Sequence, residues 1–202
     1  MNTTTLTNIA DELSNLGKQL RVITVKVRSS YFTGGSGVIW QSSPLFPGSL
    51  IITNAHVAFN RRAIVELADG RVLTAVRTKI APELDLAALT IAATNLPTAT
   101  IGNADGLRVG ELVLAVGNPF ADKGAVTTGI VSAKNERLLM ADIQLFPGNS
   151  GGLLANCLGH VVGINTMIVN GLGVAIPSST VERFLCGEIH PQPDAKNPME
   201  KR

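Results

Sequence analysis

The chain is poor in aromatic residues and cysteine, has no clustered basic surface and contains no long hydrophobic run. Each shortage removes a class of function. Aromatics make up 4% of the 202 residues, so a core has to be built mostly from Val, Ile, Leu and Ala. Two cysteines, Cys157 and Cys186, are too few for a disulfide framework and are expected as buried free thiols. The formal net charge is +2, and Arg61-Arg62 is the only basic pair before the terminal Lys201-Arg202. A nucleic-acid surface needs a clustered basic patch, so no nucleic-acid partner is expected. No window approaches the length of a membrane span, which argues against membrane insertion. Residues 1–20 have no basic n-region, and Asp11 and Glu12 interrupt the place of an apolar h-region, so the expected location is cytoplasmic. His160 and His190 have no metal-ligand spacing between them, and neither a metal nor another cofactor is expected.

What the chain does contain is a large apolar fraction, 45%, against 16% charged residues, enough to bury a core. Leu6, Ile9, Leu13, Leu16 and Leu20 recur at helical spacing and predict a short amphipathic helix, with a start signal at Asn8 and a weakened end at Gly17. From Val22 onward the period becomes two. About a dozen short apolar runs follow, with turn signals every 8–12 residues, among them Asp69-Gly70 and Asn170-Gly171. That pattern predicts an all-β sandwich or barrel. A divide near residues 95–106 separates six runs from six, hence two six-stranded barrels. The expected organisation is a helical segment over 1–20, an N-terminal barrel over 21–100, a C-terminal barrel and closing helix over 101–187, and a disordered tail over 188–202. Ser178-Ser179-Thr180 reads as the cap of the closing helix.

The chemistry rests on three positions in chain order: His56 in Thr53-Asn54-Ala55-His56-Val57, Asp85 in Leu84-Asp85-Leu86, and Ser150 in Pro147-Gly148-Asn149-Ser150-Gly151-Gly152. Serine is a weak nucleophile near neutral pH and needs a base; histidine suits that task, and a carboxylate must hold its other nitrogen. Asp85, flanked by apolar residues in a strand, needs a partner to offset its desolvation, and His56 would serve. A tetrahedral intermediate also needs N–H donors aimed at its oxyanion. Gly148 and Ser150 are the candidates, with Asn149 as a third. The glycine-flanked serine also satisfies the Gly-x-Ser-x-Gly elbow of α/β-hydrolases, but that fold requires a strand-to-helix turn and places the acid and histidine after the serine. Both requirements fail here.

Longer stretches carry a family resemblance. Gly35-Ser36-Gly37-Val38-Ile39, Ile52–Val57, Asp85-Leu86-Ala87, Val109–Phe120, Val126–Ala133, Pro147–Gly152, Val162–Thr166 and Val174–Ser178 together resemble trypsin-like serine proteases of the HtrA (Deg) type. The resemblance implies a chymotrypsin-like double barrel with the site in the cleft between barrels. It also implies ATP-independent endopeptidase activity on unfolded or damaged protein. It makes Ser150 the nucleophile, His56 the general base and Asp85 its orienter, and assigns Gly148, Asn149 and Ser150 to the oxyanion hole. Ile164, Asn165 and Thr166 would pair with the substrate backbone. Gln144 stands six residues before Ser150, where a trypsin-like pocket keeps a carboxylate, and Leu145 stands at the pocket base. Cleavage after small or medium aliphatic residues is therefore expected.

The chain also departs from the family pattern. No PDZ domain follows the protease part of this sequence, and Leu153 replaces the usual Pro after Gly-Gly. Family trimers use aromatics near the N-terminus, whereas the first aromatic here is Tyr31; Phe120 does stand in the Gly117–Phe120 turn such trimers use. A homotrimer is thus left open. A second function class stays open as well: a resting or inactive peptide-binding, chaperone-like module on the same fold.

Overall fold

The structure, a computed structural model, describes residues 3–29, 34–43, 48–118 and 124–188. Tyr31, Phe120, His190 and the tail beyond Glu188 lie outside the described residues. A helix, α1 (Thr3–Val22), leads into six antiparallel strands: β1 (Thr24–Arg28), β2 (Gly34–Ser43), β3 (Gly48–Thr53), β4 (Arg62–Glu66), β5 (Val72–Ala81) and β6 (Leu86–Ile91). A second six follow: β7 (Leu112–Gly117), β8 (Ala125–Lys134), β9 (Leu139–Asp142), β10 (Leu153–Asn156), β11 (Val161–Val169) and β12 (Leu172–Pro177). Helix α2 (Ser178–Cys186) closes the described chain. Each set of six closes on itself, in the orders β1-β2-β3-β6-β5-β4 and β10-β11-β12-β9-β8-β7. This is the double barrel the sequence pattern predicts.

Two barrels need three cores, and the strand pleat supplies them. Successive side chains point to opposite faces, so each strand divides its residues between two environments. Val25, Val27, Ile39, Ile51, Ala87 and Leu89 fill the first barrel, and Val113, Ala115, Leu154, Val162 and Ala175 the second. Their neighbours Val38, Ile52, Leu86, Ala88, Leu114, Leu153, Val161 and Ile164 meet in a third cluster between the barrels. Strands that face a core on both sides read as unbroken apolar runs. Aliphatic residues of modest size suit such narrow interiors, which accounts for the scarcity of aromatics.

The helices brace this third cluster. Leu20 is buried in it, and Leu13 and Leu16 pack against it. The helix begins ahead of Asn8, which lies within it. Helix α2 sends Val181 and Phe184 into the same cluster and is held by the first barrel at its middle and at its C-terminal end. Trp40 Nε1 donates to Glu182 Oε1 at 2.8 Å. Lys79 Nζ donates to the Phe184 carbonyl and, at 3.2 Å, to that of Leu185, while lying 5.2 Å from the Phe184 ring centre. A cation on the last carbonyls of a helix also complements its dipole. The serine cap expected for α2 is not made: Pro177 takes the cap position, and Ser178 Oγ donates to the Gly102 carbonyl at 2.8 Å.

Two other expectations need correction. Cys157 and Cys186 are free, but both are exposed, one in the β10–β11 turn and one at the end of α2. Of the two hairpin signals, Asn170-Gly171 has both residues at positive φ, 51° and 82°, as a two-residue primed turn requires. Asp69-Gly70 has only Gly70 there, φ 91°, with the Gly70 amide bonded to the Leu67 carbonyl at 2.9 Å. It is a wider loop in which glycine alone takes the left-handed position.

Candidate active site

The Asp85 carboxylate is placed by a turn. Strand β5 ends at Ala81, Pro82–Leu84 form one 3₁₀ turn, and Asp85 follows with φ 53°, just ahead of β6. It therefore precedes the apolar strand instead of sitting within it. Left-handed backbone costs a non-glycine residue on the order of 1–2 kcal/mol. Two hydrogen bonds to the Asp85 carbonyl offset this, from the Ala55 amide at 3.1 Å and from Asn54 Nδ2 at 3.0 Å. Both come from the turn after β3 that carries His56, so the acid and the histidine are fixed to one another through the backbone. Their side chains then meet: His56 Nδ1 lies 2.9 Å from each carboxylate oxygen, and the His56 amide donates to Oδ1 at 3.1 Å. An ionised carboxylate only accepts, so the proton sits on Nδ1 and Nε2 carries the lone pair.

Thr166 is the third group on the carboxylate, its hydroxyl donating to Oδ2 at 2.6 Å. Burial pushes the Asp85 carboxyl up, but the hydrogen bonds from His56 and Thr166 outweigh it and hold the group below its ordinary value of 3.8. Thr166→Val should therefore raise the Asp85 pKa, measurable by carbon NMR titration of the carboxyl. An unchanged or lower value would show that the hydroxyl does not act on the acid.

Ser150 sits at the end of a tight turn. The Asn149 amide donates to the Phe146 carbonyl at 2.9 Å, Pro147 takes the second position, and Gly148 has φ 104°. A hydrogen-bonded turn with proline second and a positive-φ glycine third is type II. The amides of Gly148 and Ser150 have no acceptor among the described residues, so both remain available. The Asn149 amide, considered as a third donor, is committed to the turn and cannot serve. Ser150 Oγ donates to the Thr166 carbonyl at 3.0 Å and makes no hydrogen bond to His56 among the described residues. A hydroxyl has one proton and turns freely about its Cα–Cβ bond, and in unliganded sites such bonds are often unformed. Thr166 thus touches both ends of the constellation, its hydroxyl on Asp85 and its carbonyl on Ser150.

Residues 35–164 match the trypsin-like peptidase domain family. The chain belongs to that family. Among relatives, it is 40% identical over 151 residues to a probable periplasmic serine endoprotease DegP-like of Chlamydia muridarum, covering 67% of this chain and 30% of the relative. It is 41% identical over 167 residues to a protein of the same name from Pseudomonas fulva, covering 72% and 35%. It is 40% identical over 151 residues to the serine protease HTRA2, mitochondrial, of Bos taurus, covering 67% and 33%. These similarities make this an HtrA-type trypsin-like domain. The chain spans about a third of the length of the curated relatives it matches.

Beside Ser150 the trypsin-like domain has a cavity of about 200 Å³, lined by Leu145, Phe146, Pro147, Asn149, Ser150, Thr166, Met167 and Ile168. It is smaller than the 300–1,000 Å³ of most small-molecule sites and has room for little beyond one side chain. No charged residue lines it. Leu145 stands where expected, but Gln144 is exposed and does not line the cavity; its carbonyl accepts from Thr127 Oγ1 at 2.8 Å.

The segment expected to pair with substrate, Ile164–Thr166, has most of its backbone engaged within the fold. Ile164 is fully buried between Leu153 and Ile176. Asn165 exchanges backbone bonds of 2.8 Å with Gly151 and Gly152 and ties its side chain to the Leu153 carbonyl at 2.7 Å. Neither offers a free backbone edge. The register against β12 slips between Asn165 and Met167, so Thr166 is bulged, and beyond it β11 pairs with β12 alone. The open edge is Met167–Val169, where Met167 and Ile168 are half-exposed. Thr166 remains at the site, but as a partner of Asp85 and Ser150. Its role, and that of Asn54, had no signal in the sequence, because each depends on contacts made across the fold.

Proposed function

We propose that this trypsin-like domain is a serine endopeptidase acting through an acyl-enzyme. The observation that carries the reading is the bond from His56 Nδ1 to Asp85, with Thr166 bonded to both Asp85 and Ser150. In the reaction Ser150 Oγ turns from Thr166 toward His56 Nε2, gives up its proton there and attacks the scissile carbonyl carbon. The free amides of Gly148 and Ser150 receive the developing oxyanion. Collapse breaks the C–N bond, and the amine leaves with the proton held on His56. Water, activated by the same imidazole, then frees the acid product and returns the proton to Ser150. Asp85 stabilises the imidazolium formed in each half.

An open strand edge beside a side-chain-sized apolar cavity favours an extended segment with a small or medium aliphatic residue before the cut. Folded proteins rarely expose such segments, which supports unfolded or damaged protein as substrate. A fluorophosphonate probe should label the chain at Ser150, and fluorogenic peptides ending in Val or Ala should be cut about tenfold or more faster than those ending in Lys or Arg. Preference for Lys or Arg would overturn the pocket assignment.

One observation favours a second reading, a resting peptide-binding module: the Ser150 hydroxyl engages Thr166 and not His56. Capture of unfolded chains without labelling under any condition would establish it.

A further inference from the structure

The turn that carries Ser150 is held from the other barrel by one buried serine. Ser36, on β2, is fully buried, and every polar group it has is used. Its Oγ donates to the Gly148 carbonyl at 2.7 Å and accepts from the Asn118 amide at 2.7 Å. Its amide donates to the Ser150 carbonyl at 2.8 Å, and its own carbonyl accepts from Thr53 Oγ1 at 2.6 Å. Close approach allows this: a Cβ at Gly151 would stand 2.1 Å from the Ser36 carbonyl oxygen.

The two contacts to the turn have different consequences. The Gly148 carbonyl and the Asn149 amide belong to one peptide plane. Ser36 holds its oxygen and Phe146 holds its nitrogen, so the plane is fixed at both ends. On either side of it are the amides of Gly148 and Ser150, the two free donors. The type II turn and its type I alternative differ by rotation of the Pro147–Gly148 peptide, which would carry the Gly148 amide away. Anchoring the next plane restricts the rotation at Gly148 that such a flip requires.

We propose that Ser36 is a positioning residue for the oxyanion hole: its hydroxyl, by joining the Asn118 amide to the Gly148 carbonyl, keeps the Gly148 and Ser150 amides aimed at one point. The proposal rests on the endopeptidase reading of that turn. It also makes Asn118, the residue after β7, a direct neighbour of the oxyanion turn through a single hydroxyl.

The test is Ser36→Ala in the full chain, assayed well below its melting temperature. Amide exchange at Asn118 and Asn149, followed by NMR, should quicken relative to the wild type. The kcat should fall about 10–100-fold with KM within about twofold, since a misdirected donor approaches the cost of a missing one. Ser36→Cys, with a weak donor of similar shape, should lie between the two and serves if the alanine variant does not fold. Unchanged exchange at both amides would overturn the proposal. So would faster exchange with an unaltered kcat, which would leave Ser36 a purely structural residue. If the wild type neither labels nor turns over peptide, the endopeptidase reading fails, and exchange alone then decides whether Ser36 holds the turn.

Discussion

Ser150→Ala is expected to abolish fluorophosphonate labelling and to lower kcat for peptide hydrolysis by about 10⁶-fold, with little change in stability. The size of the first effect follows from the proposed roles. Without Oγ no acyl-enzyme forms, and His56 has no hydroxyl nucleophile left to deprotonate. The smallness of the second follows from the contacts. The Ser150 side chain makes one neutral hydrogen bond, to the Thr166 carbonyl, and such a bond contributes a net ~1 kcal/mol. In a chain of this size that corresponds to about 2–4 °C in melting temperature. The turn itself is held by backbone bonds from Phe146, Ser36 and Asn165, none of which uses Oγ. Residual cleavage within about a hundredfold of the wild type would mean that another residue is the nucleophile. A large fall in melting temperature would mean that the hydroxyl is structural.

How far this site could be read from the sequence depends on which contacts are local. The twelve strands were legible because each is a short aliphatic run ended by a turn signal, and because two packed faces make the runs continuous. The same continuity concealed the register of β11. Val161–Val169 reads as one strand, and the polar pair Asn165-Thr166 within it does not by itself mark the bulge that frees Met167–Val169. The open edge therefore begins three residues beyond the start of the Ile164–Thr166 segment that the sequence suggests for pairing. Asn170-Gly171 and Asp69-Gly70 carry similar turn chemistry, yet only the first forms the primed turn, because strand lengths decide how many residues the loop must span. Ser150, His56 and Asp85 stood out through residue type and order. Thr166, Asn54 and Ser36 did not: common residues acquire such roles only when distant strands are brought together.

Asp85→Asn should lower kcat by about 10⁴-fold, with KM little changed, and the arrangement at Asp85 explains why so small a change is so costly. The His56 amide must donate, so the oxygen of the new side chain stays at the Oδ1 position, 3.1 Å from it. The new NH₂ then occupies the Oδ2 position, facing Thr166 Oγ1 and His56 Nδ1. Thr166 can adapt, because a hydroxyl accepts as well as donates. His56 Nδ1 lies 2.9 Å from both positions, so the new NH₂ competes with the retained oxygen for it. The tautomer that accepts from the NH₂ carries its proton on Nε2 and cannot take the Ser150 proton, and the imidazolium loses the carboxylate charge in either case. The fold survives while the base is disabled. The same substitution should alter acid stability in a defined direction. The folded-state pKa of Asp85 lies below the ordinary 3.8, so its contribution to stability is present above that value and is lost as the pH falls through the folded value. The wild type should therefore lose melting temperature relative to Asp85→Asn as the pH drops below about 4, since the amide cannot be protonated in this range. Parallel melting curves for the two proteins from pH 7 to 2 would show that the carboxylate is not held by these bonds. A kcat within about tenfold of the wild type would show that it does not set the tautomer of His56.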